Sequence, residues 1–197
     1  MDATVFLVRH GRTALNAADI LRGRGKDSPL DATGAAEVSA LGKLFADCDV
    51  ELIITSPLTR ARQTAAAIAA TTGASIELDD GLADREYGPW AGQDKTEVER
   101  RFGSLDAAPG VETVAQVVAR AVPAIERAAD RAARHPIVVV AHDAVNTAVL
   151  TTLVPALGAP DDIPQETGCW NRLERSGERW TAPVIGAEVG EPADRPR

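Results

Sequence analysis

Three short, largely β-branched apolar runs punctuate the chain: 4–8 (Thr-Val-Phe-Leu-Val), 50–54 (Val-Glu-Leu-Ile-Ile) and 137–141 (Ile-Val-Val-Val-Ala). Nearly continuous apolar runs of this length predict strands buried on both faces, as in a parallel sheet. The segments between them switch to helical spacing. Residues 34–45 place Val38, Leu41, Leu44 and Phe45 on one face, after a start at Asp31-Ala-Thr-Gly34. Residues 60–70 are alanine-rich, with Thr64 and Ile68 one turn apart. The longest helical stretch, 113–134, opens on Thr113 and Gln116 with the spacing of a capping box, and Pro123 is expected to kink or break it. A further helix is expected from 144 to about 154, ending before Pro155. Segments 169–174 and 179–184 read as a hairpin around Ser176-Gly177. Alternating strands and helices predict a doubly wound α/β fold, with a mostly parallel central sheet between two helical layers.

Three stretches fall outside this rhythm. Residues 84–110 carry Gly88, Pro89, Gly92, Gly103, Pro109 and Gly110, with one short helical pattern at 95–102. They read as an excursion over one edge of the sheet. Residues 155–168 form a Pro/Asp-rich loop. Residues 1–187 are expected to make one domain, and the charged, Pro- and Gly-rich stretch 188–197 a disordered tail.

Composition narrows the classes of function. The 197 residues carry a net charge of −8, with no cluster of Lys and Arg that could neutralise a nucleic-acid backbone. A few arginines can still make one positive pocket in an acidic protein. The chain starts without a basic, apolar leader, and no apolar run approaches the roughly 20 residues that span a bilayer. Cys48 and Cys169 are far apart and in no CxxC pair, so two buried, reduced thiols are the simplest reading. These features predict a soluble cytoplasmic protein, a monomer or homodimer, acting on neither nucleic acid nor membrane.

Each apolar run is followed at once by polar residues: Arg9-His10-Gly11, Thr55-Ser56-Pro57, and His142-Asp143. In open α/β sheets the ligand crevice lies beyond the carboxyl ends of the strands, so three strands deliver these groups to one edge. No His/Asp/Glu cluster has metal-ligand spacing, and no GxxxxGK[ST] loop is present, so neither metal nor cofactor is expected. His135, between a helix end and Pro136, reads as a surface residue. Trp90, Trp170 and Trp180 read as packing residues.

Four motifs, in order, carry a resemblance to a known family. They are Arg9-His10-Gly11-Arg12-Thr13 with Asn16; Ser56-Pro-Leu-Thr-Arg60-Ala-Arg-Gln-Thr64; Asp84-Arg-Glu-Tyr87-Gly88; and Val140-Ala-His142. Together with Asp27-Ser-Pro-Leu30 they resemble the histidine phosphatase (phosphoglycerate-mutase-like) superfamily along nearly the whole chain. The resemblance implies a phosphoglycerate-mutase-like α/β/α fold and metal-independent phosphoryl transfer, with a small phosphorylated metabolite or phosphate as ligand. It also implies His10 as the group that takes up the phosphoryl, stabilised by Arg9, Arg60 and His142. Such a transfer needs a neutral, oriented nucleophile and fixed cationic donors for the phosphoryl oxygens, which imidazole and guanidinium supply. Asn16 and Arg22 are further candidates to touch the substrate, and Arg12 reaches the substrate or faces water.

The proton donor departs from the family's usual pattern. Asp84 stands where relatives most often have Glu, and Asp143 follows His142 where many have Gly. Asp84 is favoured as the acid, with Asp143 assisting or replacing it. Asp143 also has a structural rival role as a helix N-cap, worth about 1 kcal/mol. Alternatives to a phosphatase are a mutase, which returns the phosphoryl group to its substrate, and a silent member that only binds a phosphorylated ligand. The short stretch between Gly92 and Thr113 leaves the site open to water and favours the phosphatase.

Overall fold

The computed structural model describes residues 2–25 and 27–189. Strands β1 (Asp2–Arg9), β2 (Leu52–Thr55), β3 (Ser75–Leu78), β4 (Ile137–Ala141), β5 (Trp170–Ser176) and β6 (Arg179–Ala187) form one sheet in the order β3-β2-β4-β1-β5-β6. The first four strands of that order are mutually parallel, and β5 pairs antiparallel with both β1 and β6. Helices α1 (Ala32–Phe45) and α2 (Thr59–Thr72) cover one face. Helices α4 (Val114–Arg131) and α5 (Asp143–Leu153) cover the other. A short helix α3 (Lys95–Phe102) sits in the excursion, on the span expected for it.

The alternation of β1 shows why its sequence is apolar throughout. Val5 and Leu7 pack towards α4 and α5, while Phe6 and Val8 pack towards α1 and α2. Successive side chains of a strand point to opposite faces, so a strand covered on both sides has no polar position to spare. On the α1/α2 side, Phe6, Phe45 and Trp170 meet edge to face, with centroids 5.3 to 6.2 Å apart. On the other side α4 contributes Val117, Ala121, Ile125 and Ala128, each at most 1 % exposed.

Helix starts follow the polar signals. The Asp31 carboxylate accepts from the Gly34 N–H, which starts α1. The capping box at α4 is complete, with Thr113 and Gln116 each accepting from the other's backbone N–H. Several expectations need correction. Pro123 does not break α4, which runs through it. Helix α5 has His142 at its N-cap and Asp143 inside the first turn, so Asp143 is not the cap. Strand β3 was not expected; all four of its residues are exposed at the sheet edge, so burial leaves no apolar pattern there. Cys48 is half-buried rather than buried, and the two cysteines are not joined to each other. The tail expected from 188 lies, from residue 190 onward, outside the described residues.

The topology fixes where a ligand can sit. Strands β1 and β4 are neighbours, yet the chain leaves β1 towards α1 on one face and β4 towards α5 on the other. Their carboxyl ends therefore open a crevice at a topological switch point. No helix among the described residues is long and apolar enough to cross a membrane.

Candidate active site

His10 is the first residue beyond β1, and its backbone N–H donates to the Ala141 carbonyl at 3.1 Å, which continues the β1–β4 ladder. Its side chain is 1 % exposed. Nδ1 lies 2.7 Å from the Gly11 carbonyl. A carbonyl can only accept, so Nδ1 carries the proton and Nε2 keeps its lone pair. Arg60 Nε donates to that Nε2 at 3.2 Å. The residue after His10 has no room for a side chain. A Cβ on Gly11 would meet Val38 Cγ1 at 2.7 Å and the Gly34 carbonyl at 2.9 Å.

Arg60, in the first turn of α2, is fully buried and joins three parts of the site. Nη2 donates to Asp84 Oδ2 at 2.7 Å and to the Gly23 carbonyl at 3.2 Å, while Nη1 lies 3.5 Å from Asp27. Gly23 holds a left-handed φ of +53°, and a Cβ there would meet the Arg85 carbonyl at 2.4 Å. Only glycine lets that loop approach so closely.

His142, directly after β4, stacks at a tilt against His10, with ring centroids 5.0 Å apart. Its Nε2 lies 2.8 Å from Ser56 Oγ. Ser56 Oγ accepts from the Leu58 N–H, so its own hydroxyl proton can go to His142 Nε2. That pattern puts a proton on Nδ1, which is buried, has no hydrogen-bond partner among the described residues and lies 3.8 Å from Asp84 Oδ2. Burial, first of all, holds both imidazoles well below the usual histidine range. His142, Arg60, Arg9 and Arg22 add to the effect on His10; Arg60, Arg22, Arg9 and Arg120 add to that on His142. Both rings are therefore neutral near pH 7.

The remaining sequence candidates converge on the same cleft, about 560 Å³ in volume, whose lining includes Arg9, His10, Asn16, Arg22, Asp84, His142 and Asp143. Arg9 donates from Nη1 to the Gln165 carbonyl, and its buried Nε has no hydrogen-bond partner among the described residues. Arg22 is buried and donates to Thr13 Oγ1. Burial, then the nearby Arg60, push its guanidinium down to about 10, still charged at neutral pH. The amide oxygen of Asn16 accepts from Thr13, which leaves its NH2 group as the end that can meet a ligand. Asp84 accepts from the Arg85 N–H at 2.8 Å as well as from Arg60. Asp143 is exposed at the cleft mouth. Arg12 turns away, to Asp31 and Thr33. His135 pairs with Asp49, away from the cleft.

Three groups support these residues, of which the sequence placed only Ser56, at a strand end and in the second motif, and gave none a specific part. Ser56 orients His142. Gln165 is locked by Asn146 and Asn171 at 2.8 to 3.1 Å and offers its carbonyl to Arg9. Glu112 binds Arg24 and Arg120 through both carboxylate oxygens, and each of those arginines donates to the Asp84 carbonyl, at 2.8 and 3.2 Å. Among the described residues no group of three or more His, Cys, Asp or Glu is placed to hold a metal ion.

The family profile described as "Histidine phosphatase superfamily (branch 1)" matches residues 5–187. An uncharacterized phosphatase, PhoE, of Bacillus subtilis is 28 % identical over 176 residues, which cover 89 % of this chain and 90 % of that protein. Fructose-2,6-bisphosphatase TIGAR of Xenopus tropicalis is 34 % identical over 125 residues, covering 58 % of this chain and 46 % of the relative. The crystal structure of a phosphoglycerate mutase from Bacillus anthracis superimposes with a TM-score of 0.84 at 20 % identity, over 94 % of this chain and 93 % of that one. At that identity the likeness speaks for the fold alone.

Proposed function

The chain belongs to the histidine phosphatase superfamily, and on that premise we propose that it hydrolyses phosphate monoesters, without a metal, through a phosphohistidine on His10. The observation that carries this reading is the state of His10: buried, neutral, with Nδ1–H fixed by the Gly11 carbonyl and Nε2 turned to Arg60 and the cleft.

The phosphoryl group of a bound monoester meets Arg9, Arg22, Arg60 and the unpartnered Nδ1–H of His142. These are fixed donors, most of them buried, and preorganised donors of this kind stabilise the charge that develops on the phosphoryl oxygens. The phosphate oxygens offer Arg60 stronger acceptors than an imidazole nitrogen, which frees the Nε2 lone pair. Nε2 then forms a bond to phosphorus while the bond from phosphorus to the leaving oxygen breaks. Asp84 gives its proton to that oxygen. In the second half Asp84 takes a proton from water, whose oxygen bonds to phosphorus as the Nε2–P bond breaks. Phosphate leaves and His10 is restored.

Asp84 suits this role better than Asp143. It lies within 3.8 Å of His142 Nδ1 and is held by Arg60, whereas Asp143 stands exposed at the mouth. The test is phosphate release from a panel of monoesters by wild type and His10→Ala, compared as kcat/KM. Release that depends on His10 supports the proposal. Interconversion of phosphoglycerates without release of phosphate would move the chain to the mutases.

A further inference from the structure

The charges of the cleft are sorted by depth, and that sorting bears on what the leaving group can be. Around His10 stand three guanidiniums, Arg9, Arg22 and Arg60, with Asp84 and Asp27 already leaning on Arg60. Three guanidiniums against two carboxylates leave an excess of one positive charge, which suits one phosphoryl group and not two anions. Nδ1 of His142 and Nε of Arg9, both buried and without a hydrogen-bond partner among the described residues, are donors of cleft-lining residues that an oxygen-bearing anion could use. Among the described residues no further cation lines the cleft at this depth for a second one.

Further out the sign reverses. Arg85 lines the cleft but is paired to Asp106. Among the described residues, the remaining charged side chains of the outer wall are Lys95 against Asp19, Glu99, Asp143 and Glu166. Four carboxylates face one ammonium, all beside a low-dielectric wall that includes Leu21, Val117 and Ile163. Such a wall concentrates the field of its charges in the cleft. A leaving group bearing a carboxylate or a second phosphate would meet repulsion without a pairing cation, whereas a neutral or cationic group would not.

We infer that the substrate class is a phosphate monoester whose leaving group is neutral or cationic and carries no second anion. This rests on the phosphatase reading above and narrows it. Selection works through the outer carboxylates, which shape specificity without touching the reacting atoms.

Glycerol 3-phosphate and 3-phosphoglycerate test it directly, because they share a carbon skeleton and differ in a hydroxymethyl against a carboxylate. Release of phosphate from each is measured at low and high salt, with p-nitrophenyl phosphate as a reference and phosphocholine as a cationic ester. The expected result is a kcat/KM for glycerol 3-phosphate about tenfold or more above that for 3-phosphoglycerate, the scale on which pocket contacts discriminate. The gap should narrow as salt screens the wall. Glu99→Gln combined with Glu166→Gln should narrow it too, and a ratio of two substrates on one variant cancels any loss of folded protein. Equal turnover of the two esters, or preference for 3-phosphoglycerate, overturns this inference while leaving the phosphatase reading in place. Absence of release from every ester, p-nitrophenyl phosphate included, removes both.

Discussion

Arg60 and Asp84 are joined by a 2.7 Å hydrogen bond from Nη2 to Oδ2. The same guanidinium reaches His10 Nε2 through Nε. The proposed nucleophile and proton donor are therefore spaced by one rigid, planar group. A lysine could supply the charge but not the fork. Arg60→Lys is expected to lower kcat/KM by ~10²–10³-fold, the scale for removing a fixed transition-state donor. Steady-state kinetics with circular dichroism, to establish folding, would decide it; a loss of only a few-fold would mean that the geometry of Arg60 is unimportant.

Replacing each aspartate separates the two candidate acids. Asp84→Asn should cost ~10²–10⁴-fold on alkyl phosphates, whose leaving oxygen needs a proton, and much less on p-nitrophenyl phosphate. Asp143→Asn should be mild on both. Full turnover of alkyl phosphates by Asp84→Asn would transfer the role to Asp143.

Glu112 acts at one remove, through the arginines that hold the Asp84 carbonyl. Glu112→Gln weakens a cluster of charge-assisted bonds worth about 1.5–3 kcal/mol each, and some loss of thermal stability is expected. A positioning role adds a readout that simple destabilisation does not. The kcat for alkyl phosphates should fall several-fold more than that for p-nitrophenyl phosphate, and Glu112→Asp should recover part of the difference. Equal losses on both substrates would reduce Glu112 to a purely structural group.

The two buried histidines give a pH signature with a definite sign. Both are held below the ordinary value of about 6.5. As pH falls through that value the unfolded chain binds protons at these positions before the folded one does. Stability contributed by the neutral rings is thus complete above about pH 6.5 and declines progressively below it. Denaturant midpoints at pH 7.5 and 5.5 should show that loss, and His142→Asn should lessen it. Because His10 stays neutral, it should add no acid limb to kcat/KM beyond the second ionisation of the phosphate ester at about pH 6; a further limb centred at about pH 6.5 would contradict its depressed proton affinity.

What could be read in the sequence tracks what burial writes into it. Strands β1 and β4 are covered on both faces and appear as unbroken apolar runs, and α4 announces itself through the Thr113–Gln116 box. Strand β3, exposed throughout, leaves no such record. That the candidate residues following β1 and β4 share one cleft was legible, because strand ends gather polar groups at one edge. Their supports were not. Arg9 meets Gln165 across 156 positions, His142 meets Ser56 across 86, and Glu112 meets the Glu86 N–H across 26. No local spacing records such pairings; only the folded sheet brings them together. Asp143 looked like an N-cap because residue type marks a helix start only to within a position or so, and His142 holds the cap.

The central claim is that the phosphoryl group passes through His10. Rapid mixing with p-nitrophenyl phosphate, an alkaline quench that preserves phosphohistidine, and peptide mass spectrometry would test it most directly. Transfer through His10 should add one phosphoryl group, on His10, appearing with the burst of nitrophenol and absent from His10→Ala. A phosphoryl group trapped elsewhere, or undiminished turnover by His10→Ala with no phosphoenzyme at all, would contradict it.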